Sequence, residues 1–182
     1  MTMLTELDII RDVTERFDRL GIPFMLTGSV AMSLYAEPRM TRDIDAVVEI
    51  RNEDVNALVA AFAPDYYIEQ SDVQRALAAG TMFNLIHTAA AIKVDCIPRK
   101  SSEYRRVEFA RRSKVHIADF TTWIVSKEDL ILSKLVWAKP SHSELQLRDV
   151  RNLLRGECDA AYLEKWAQHL LVRELLKEAR GE

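Results

Sequence analysis

Apolar residues recur along the chain with two different periods, and the changes of period mark its elements. Ile10, Val13, Phe17 and Leu20 fall three and four residues apart, on one face of a first helix that Gly21 and Pro23 end. The run Phe24 to Thr27 is short and apolar enough for a buried strand. After Gly28 and Ser29, Val30 to Tyr35 reads as a short helix and Glu37 with Pro38 as a turn. From Asp43 to Ile50 the period becomes two, with Ile44, Ala46, Val48 and Ile50 on one face of a strand and Asp43, Asp45, Val47 and Glu49 on the other. Asn52, followed by Glu53 and Asp54, suits a helix start and the helix should run to about Phe62.

Beyond Pro64 the pattern predicts a strand at Tyr66 to Ile68, a short helix after Ser71, and strands at Met82 to Ile86 and Ala91 to Ile97. Arg99 to Lys114 carries seven basic residues against Glu103 and Glu108 and is predicted as a helix, with strands following at Val115 to Ile117 and Trp123 to Val125. From Ser126 the chain reads as helical. Ser126 and Asp129 cap a helix holding Leu130 to Trp137, Ser141 or Ser143 caps one reaching Leu154, and Asp159 caps a last one reaching Ala179. This order predicts an α+β fold: a mixed central sheet flanked by helices, with residues 1–125 as the core and 126–182 as a helical C-terminal subdomain packed on it.

Composition narrows the function classes. At 182 residues and 48% hydrophobic, the chain can bury one good core but not two large ones. A net charge of -3 and a pI near 5.9 exclude a global basic field for nucleic acid, so any polyanion must meet a local patch. Cys96 and Cys158 form neither a metal knuckle nor a redox pair, and the four histidines share no ligand spacing. No signal-peptide order opens the chain and no apolar run is long enough to span a bilayer, which together predict a soluble cytoplasmic protein.

The chemistry concentrates between Thr27 and Asp45. Asp43 and Asp45 lie side by side on one strand face, and like charges so placed repel unless a cation neutralises them. Mg²⁺ takes a few protein oxygens and completes its shell with water and phosphate, so two such aspartates suit it, with Mn²⁺ as an alternative. A bare D-x-D is more often a solvated edge. Here, however, it follows Gly28 and Ser29 at a strand-to-helix junction, where backbone amides can hold phosphate. A third acid, Asp95, shares with Lys93 the face of its strand opposite Ile92, Val94 and Cys96.

These residues resemble the pattern of the DNA polymerase β-like nucleotidyltransferase superfamily: an apolar strand, G-[GS], a gap, D-x-D and a later lone acid, matched at Gly28, Ser29, Asp43, Asp45 and Asp95. LTGSVAMSLYAEPRMTRDID, KVDCIPRK and SKEDLILSKL followed by LRDVRNLL further resemble minimal bacterial nucleotidyltransferases related to the AbiEii-type toxins, although Gly-Ser stands where those often have Gly-Gly. The resemblance implies the nucleotidyltransferase fold and two Mg²⁺ ions about 3.5–4 Å apart. It also implies transfer of NMP from an NTP to an acceptor hydroxyl of RNA, tRNA or protein, and an antitoxin partner. Asp43, Asp45 and Asp95 would be the catalytic metal ligands, and Gly28 and Ser29 would hold the triphosphate. Lys134 and Asp149 are implied as further nucleotide-site residues.

Arg39 and Arg42, flanking Thr41, are within reach of phosphate oxygens or are ordinary surface residues. Lys134 either binds triphosphate or lays its stem over the core, and Asp149 either orients it or pairs on the surface with Arg148 and Arg151. The basic run from Arg99 to Lys114 tracks an RNA backbone or is a solvated face. Two other function classes stay open: nucleotidylation of a small hydroxylated molecule, as in antibiotic-modifying relatives, and a non-catalytic nucleotide- or partner-binding module.

Overall fold

A computed structural model describes residues 4–37 and 43–182. Helix α1 (Glu6–Leu20) opens on a capping box: the Thr5 amide donates to the Asp8 carboxylate at 2.8 Å, and the Asp8 amide to the Thr5 hydroxyl at 3.3 Å. Its buried stripe is Ile9, Ile10, Val13 and Phe17, and it ends where Gly21 turns left-handed. Strand β1 (Phe24–Thr27) leads without a loop into α2 (Gly28–Tyr35), and β2 (Asp43–Val48) returns antiparallel to β1. The strand stops two residues before the predicted Ile50.

A 3₁₀ turn at Asn52–Asp54 precedes α3 (Val55–Phe62), then β3 (Tyr66–Tyr67), α4 (Gln70–Ala79), β4 (Phe83–His87) and β5 (Lys93–Pro98) follow. Next come α5 (Glu103–Ala110), β6 (Ser113–Ile117) and β7 (Phe120–Ile124), and after them α6 (Lys127–Ala138), α7 (Glu144–Leu154), α8 (Ala160–His169) and α9 (Arg173–Arg180). The strands form one mixed sheet in the order β3-β4-β5-β2-β1-β7-β6, with β2 parallel to β5 and β1 parallel to β7.

One apolar cluster runs from Ile9 to Ala179, so the C-terminal helices share the core of the sheet. They are also tied to it by a buried polar knot at the first turn of α6. Asp129, fully buried, accepts from Tyr162 at 2.7 Å, Tyr104 at 3.2 Å, Arg111 at 3.0 Å and the capping Ser126 hydroxyl at 2.6 Å. These donors come from three separate parts of the chain, and together they compensate the buried carboxylate.

Two predicted helices also differ from this arrangement. The single last helix is two, because Leu171 takes a left-handed backbone. The Val172 amide then bonds the Ala167 carbonyl at 2.9 Å, which closes α8 like a helix end. The basic helix is shorter than its charge run: α5 holds Arg105 and Arg106, whereas Arg99 and Lys100 precede it and Lys114 belongs to β6. No helix among the described residues is long and apolar enough to cross a membrane.

Candidate active site

Strand alternation and register assemble the site. On β2, Ile44, Ala46 and Val48 are buried against the core, while Asp43, Asp45 and Val47 face the opposite side. Pairing then sets residues from four strands in one row across the sheet: Thr27 of β1 opposite Asp45 of β2, Asp45 opposite Asp95 of β5, and Asp95 opposite Asn84 of β4. The three aspartates thus line a single cleft of about 300 Å³ with Gly28 and Ser29, and the α6 residues Ser133 and Lys134 form the facing wall.

Gly28 is required by contact as well as by backbone. Its φ of +58° is left-handed, and a Cβ there would lie 2.0 Å from Asp45 Oδ2. The start of α2 therefore presses directly against the Asp45 carboxylate, with the first-turn amides beside it. The Ser29 hydroxyl donates to the Asp43 carbonyl at 3.1 Å, fastening α2 to β2.

Charge is crowded at this point. Burial, then Asp95 and Asp43, push the Asp45 carboxyl up to about 6. Asp95 is buried and accepts a hydrogen bond from the Asn84 amide on one oxygen, while its other oxygen lies 3.0 Å from the Lys93 ammonium. The same ammonium is 3.6 Å from Asp43 Oδ1 and so stands between the two aspartates. These hydrogen bonds and carboxylates hold Lys93 above the ordinary lysine range. Among the described residues one trio of ligating side chains, His142, Glu144 and Glu178, has ligand atoms all within 4.8 Å of each other. That trio is exposed and is laced by Arg151 into a surface ion-pair network. The aspartates are spread wider around Lys93. They nevertheless form an all-oxygen donor set on one wall, with a carboxyl that burial and neighbouring charge make costly to ionise. Such a set fits a hard divalent cation.

Lys134 and Asp149 meet. Lys134 Nζ lies 2.7 Å from Asp149 Oδ2 and 3.4 Å from Gln146 Oε1, with both charged residues buried. Asp149 therefore points inward to α6 and not to the surface. Lys134 also lines the cleft, and its charge lowers the Asp45 carboxyl against the dominant upward effects. Arg39, Thr41 and Arg42 lie outside the described residues.

The basic run is partly engaged by partners within the protein. Arg99 pairs with Glu49 at 3.0 Å, Arg105 with buried Glu108 at 2.8 Å and Arg111 with Asp129 at 3.0 Å, while Arg112 stacks on Phe109 and Trp123. Four of the seven cations are thus engaged inside the fold. Reading the sequence for function missed Ser133, Trp137 and Gln146 as cleft residues, and Asn84 and Lys93 as the partners of Asp95. Strand alternation already put Lys93 beside Asp95, but Asn84 reaches Asp95 through strand pairing and Trp137 reaches the cleft through packing, neither of which a local pattern reports.

Several solved structures share this fold. A nucleotidyltransferase-like antigenic protein from Paracoccidioides brasiliensis aligns with a TM-score of 0.59 at 18% identity, over 96% of this chain and 91% of its own. The lincosamide antibiotic adenylyltransferase LnuA, lincomycin-bound, aligns at 0.54 and 13% identity over 84% and 98%. ANT(2″)-Ia in complex with adenylyl-2″-tobramycin aligns at 0.52 and 16% identity over 98% of each chain. A search of curated protein sequences finds no match. A family profile matches residues 2–180, nearly the whole chain, and the protein accordingly belongs to the family described as nucleotidyltransferase of unknown function (DUF6036).

Proposed function

We propose that this chain is a divalent-metal-dependent enzyme that transfers the NMP moiety of an NTP to an acceptor hydroxyl. The observation that carries the reading is the row Thr27, Asp45, Asp95 on adjacent strands, with the α2 N-terminus against one end and Lys134 facing it. Asp43, Asp45 and Asp95 would hold Mg²⁺ or Mn²⁺, which supplies charge neutralisation for the phosphates and lowers the pKa of the acceptor hydroxyl. The α2 amides at Gly28 and Ser29 hold the triphosphate tail by their exposed N–H groups. Lys134, kept in place by Asp149, adds positive charge where negative charge builds on the departing pyrophosphate. Asp95, oriented by Asn84, takes the acceptor proton. A bond then forms between the acceptor oxygen and the α-phosphorus, and the bond from that phosphorus to the pyrophosphate oxygen breaks.

A small hydroxylated acceptor fits the cleft better than RNA does, because three of the seven cations of the basic run are committed to ion pairs within the protein and the cleft is a bounded trough. The antibiotic adenylyltransferases among the structural neighbours are consistent with such an acceptor. A toxin role, with an antitoxin as partner, is supported by the sequence resemblance to the AbiEii-related group. The deciding experiment incubates the protein with α-labelled NTPs, Mg²⁺ or Mn²⁺, and separate pools of small metabolites, RNA and protein. Label transfer by the parent chain, lost in folded Asp43→Ala and Asp45→Ala variants, is the expected result; absence of transfer to every pool would overturn the reading.

A further inference from the structure

The cleft continues beyond the carboxylates. After Asp45 and Asp95 the same faces of β2 and β5 present Val47 and Ile97, which stand opposite each other in the register. Over them lies a second lobe of about 270 Å³ that shares Thr27, Ile97, Ser133 and Trp137 with the first. The two lobes are one trough along the strands, charged at the Asp43 end and more apolar at the other. Trp137 stands on the shared wall at 58% exposure, whereas Trp166 is buried at 4%. An indole left so open gives little to the core and offers a face for stacking.

We propose that the second lobe receives the nucleoside of the NTP, with its base stacked on Trp137. This deepens the transferase reading and rests on it. In-line displacement sets the attacking oxygen and the departing pyrophosphate on opposite sides of the α-phosphorus. The triphosphate tail lies at Gly28 on the β1 side and the proton acceptor Asp95 on the β5 side, so that axis runs across the strands. The nucleoside oxygen leaves the phosphorus at a steep angle to the axis, and the sugar extends along the strands. In one direction it meets Asp43 and Lys93, a fully polar end. In the other it passes over Val47 and Ile97 into the apolar lobe.

Of the charged groups that line that lobe, Arg99 pairs with Glu49 and Arg105 with Glu108, and Lys100 stands beside them. Arg105 donates to Glu108 at 2.8 Å, and the Ser133 hydroxyl donates to the same carboxylate at 2.5 Å. Stacking, which tolerates any base, is the contact that Trp137 supplies there. The structure thereby assigns Trp137 a part in nucleotide affinity with little discrimination among bases.

Equilibrium binding to the full chain with Mg²⁺ tests this, using α,β-methylene analogues of the four NTPs and, as a probe without a ring, inorganic tripolyphosphate. Trp137→Ala is expected to weaken all four analogues by about ten-fold or more while leaving tripolyphosphate unchanged, with Trp137→Phe restoring most of the affinity. Unchanged analogue binding in Trp137→Ala, or equal loss for analogues and tripolyphosphate, overturns the base pocket while leaving the transferase reading standing. Failure of the parent chain to bind any of these probes would sink both.

Discussion

At Asp45, burial and two neighbouring carboxylates act in the same direction, holding its pKa near 6 in the metal-free protein, against an ordinary value of about 4. Between these values the folded chain binds the proton more tightly than the unfolded one. Its contribution to stability therefore falls as pH rises from about 4 to about 6 and stays low above that. Asp45→Asn removes this penalty, so the variant is expected to melt higher than the parent at pH 7.5, to lose that advantage at pH 4, and to lose transfer. Thermal melts at the two pH values check it, and a lower Tm at pH 7.5 would contradict it. Lys93 poses a related competition. Its ammonium lies 3.0 Å from Asp95 and 3.6 Å from Asp43, so a divalent cation held by those oxygens must displace it. Lys93→Met is accordingly expected to bind Mn²⁺ several-fold more tightly in an EPR titration without nucleotide. Equal or weaker binding would show that the lysine is no competitor.

Among elements, the α6–α7 contact decides whether a buried charge is structural or chemical. Lys134 and Asp149 are nearly enclosed, and replacing Asp149 leaves the buried Lys134 ammonium without its carboxylate at a cost of about 3 kcal/mol or more. The pair Lys134→Met with Asp149→Leu removes both charges and is expected to recover most of that stability in urea unfolding. Transfer should nevertheless stay lost, because the cleft no longer has its cation. A double variant with full transfer would make the pair purely structural. Much of this level was legible beforehand: the stripe of α1, the alternation of β2, and the caps Ser126 and Asp159 all lie in local sequence and match the observed elements. The break at Leu171 was not legible, since its left-handed turn carries neither Gly nor Pro. The charge run from Arg99 to Lys114 is not one helix: Arg105 pairs with Glu108 on its own helix, whereas Arg111 pairs with the buried Asp129 of another, which no periodicity reveals.

For the whole molecule, the sheet order β3-β4-β5-β2-β1-β7-β6 is what turns scattered motifs into a site. The sequence by itself determined that Asp43 and Asp45 share a face, that Asp95 and Lys93 share another, and that Gly28 sits at a strand-to-helix junction. Each of these follows from backbone geometry within a few residues, where side chains alternate with a period of two. It also determined, through charge and composition, that no global basic field surrounds the chain. Only the tertiary structure decided that β5 lies parallel beside β2 so that Asp95 stands opposite Asp45, that Asn84 and Lys93 flank those carboxylates, and that α6 brings Lys134 and Trp137 over them. Which strand pairs with which is settled by burying complementary apolar faces from distant segments in one core, a free energy that belongs to the assembled chain and has no counterpart in any local window.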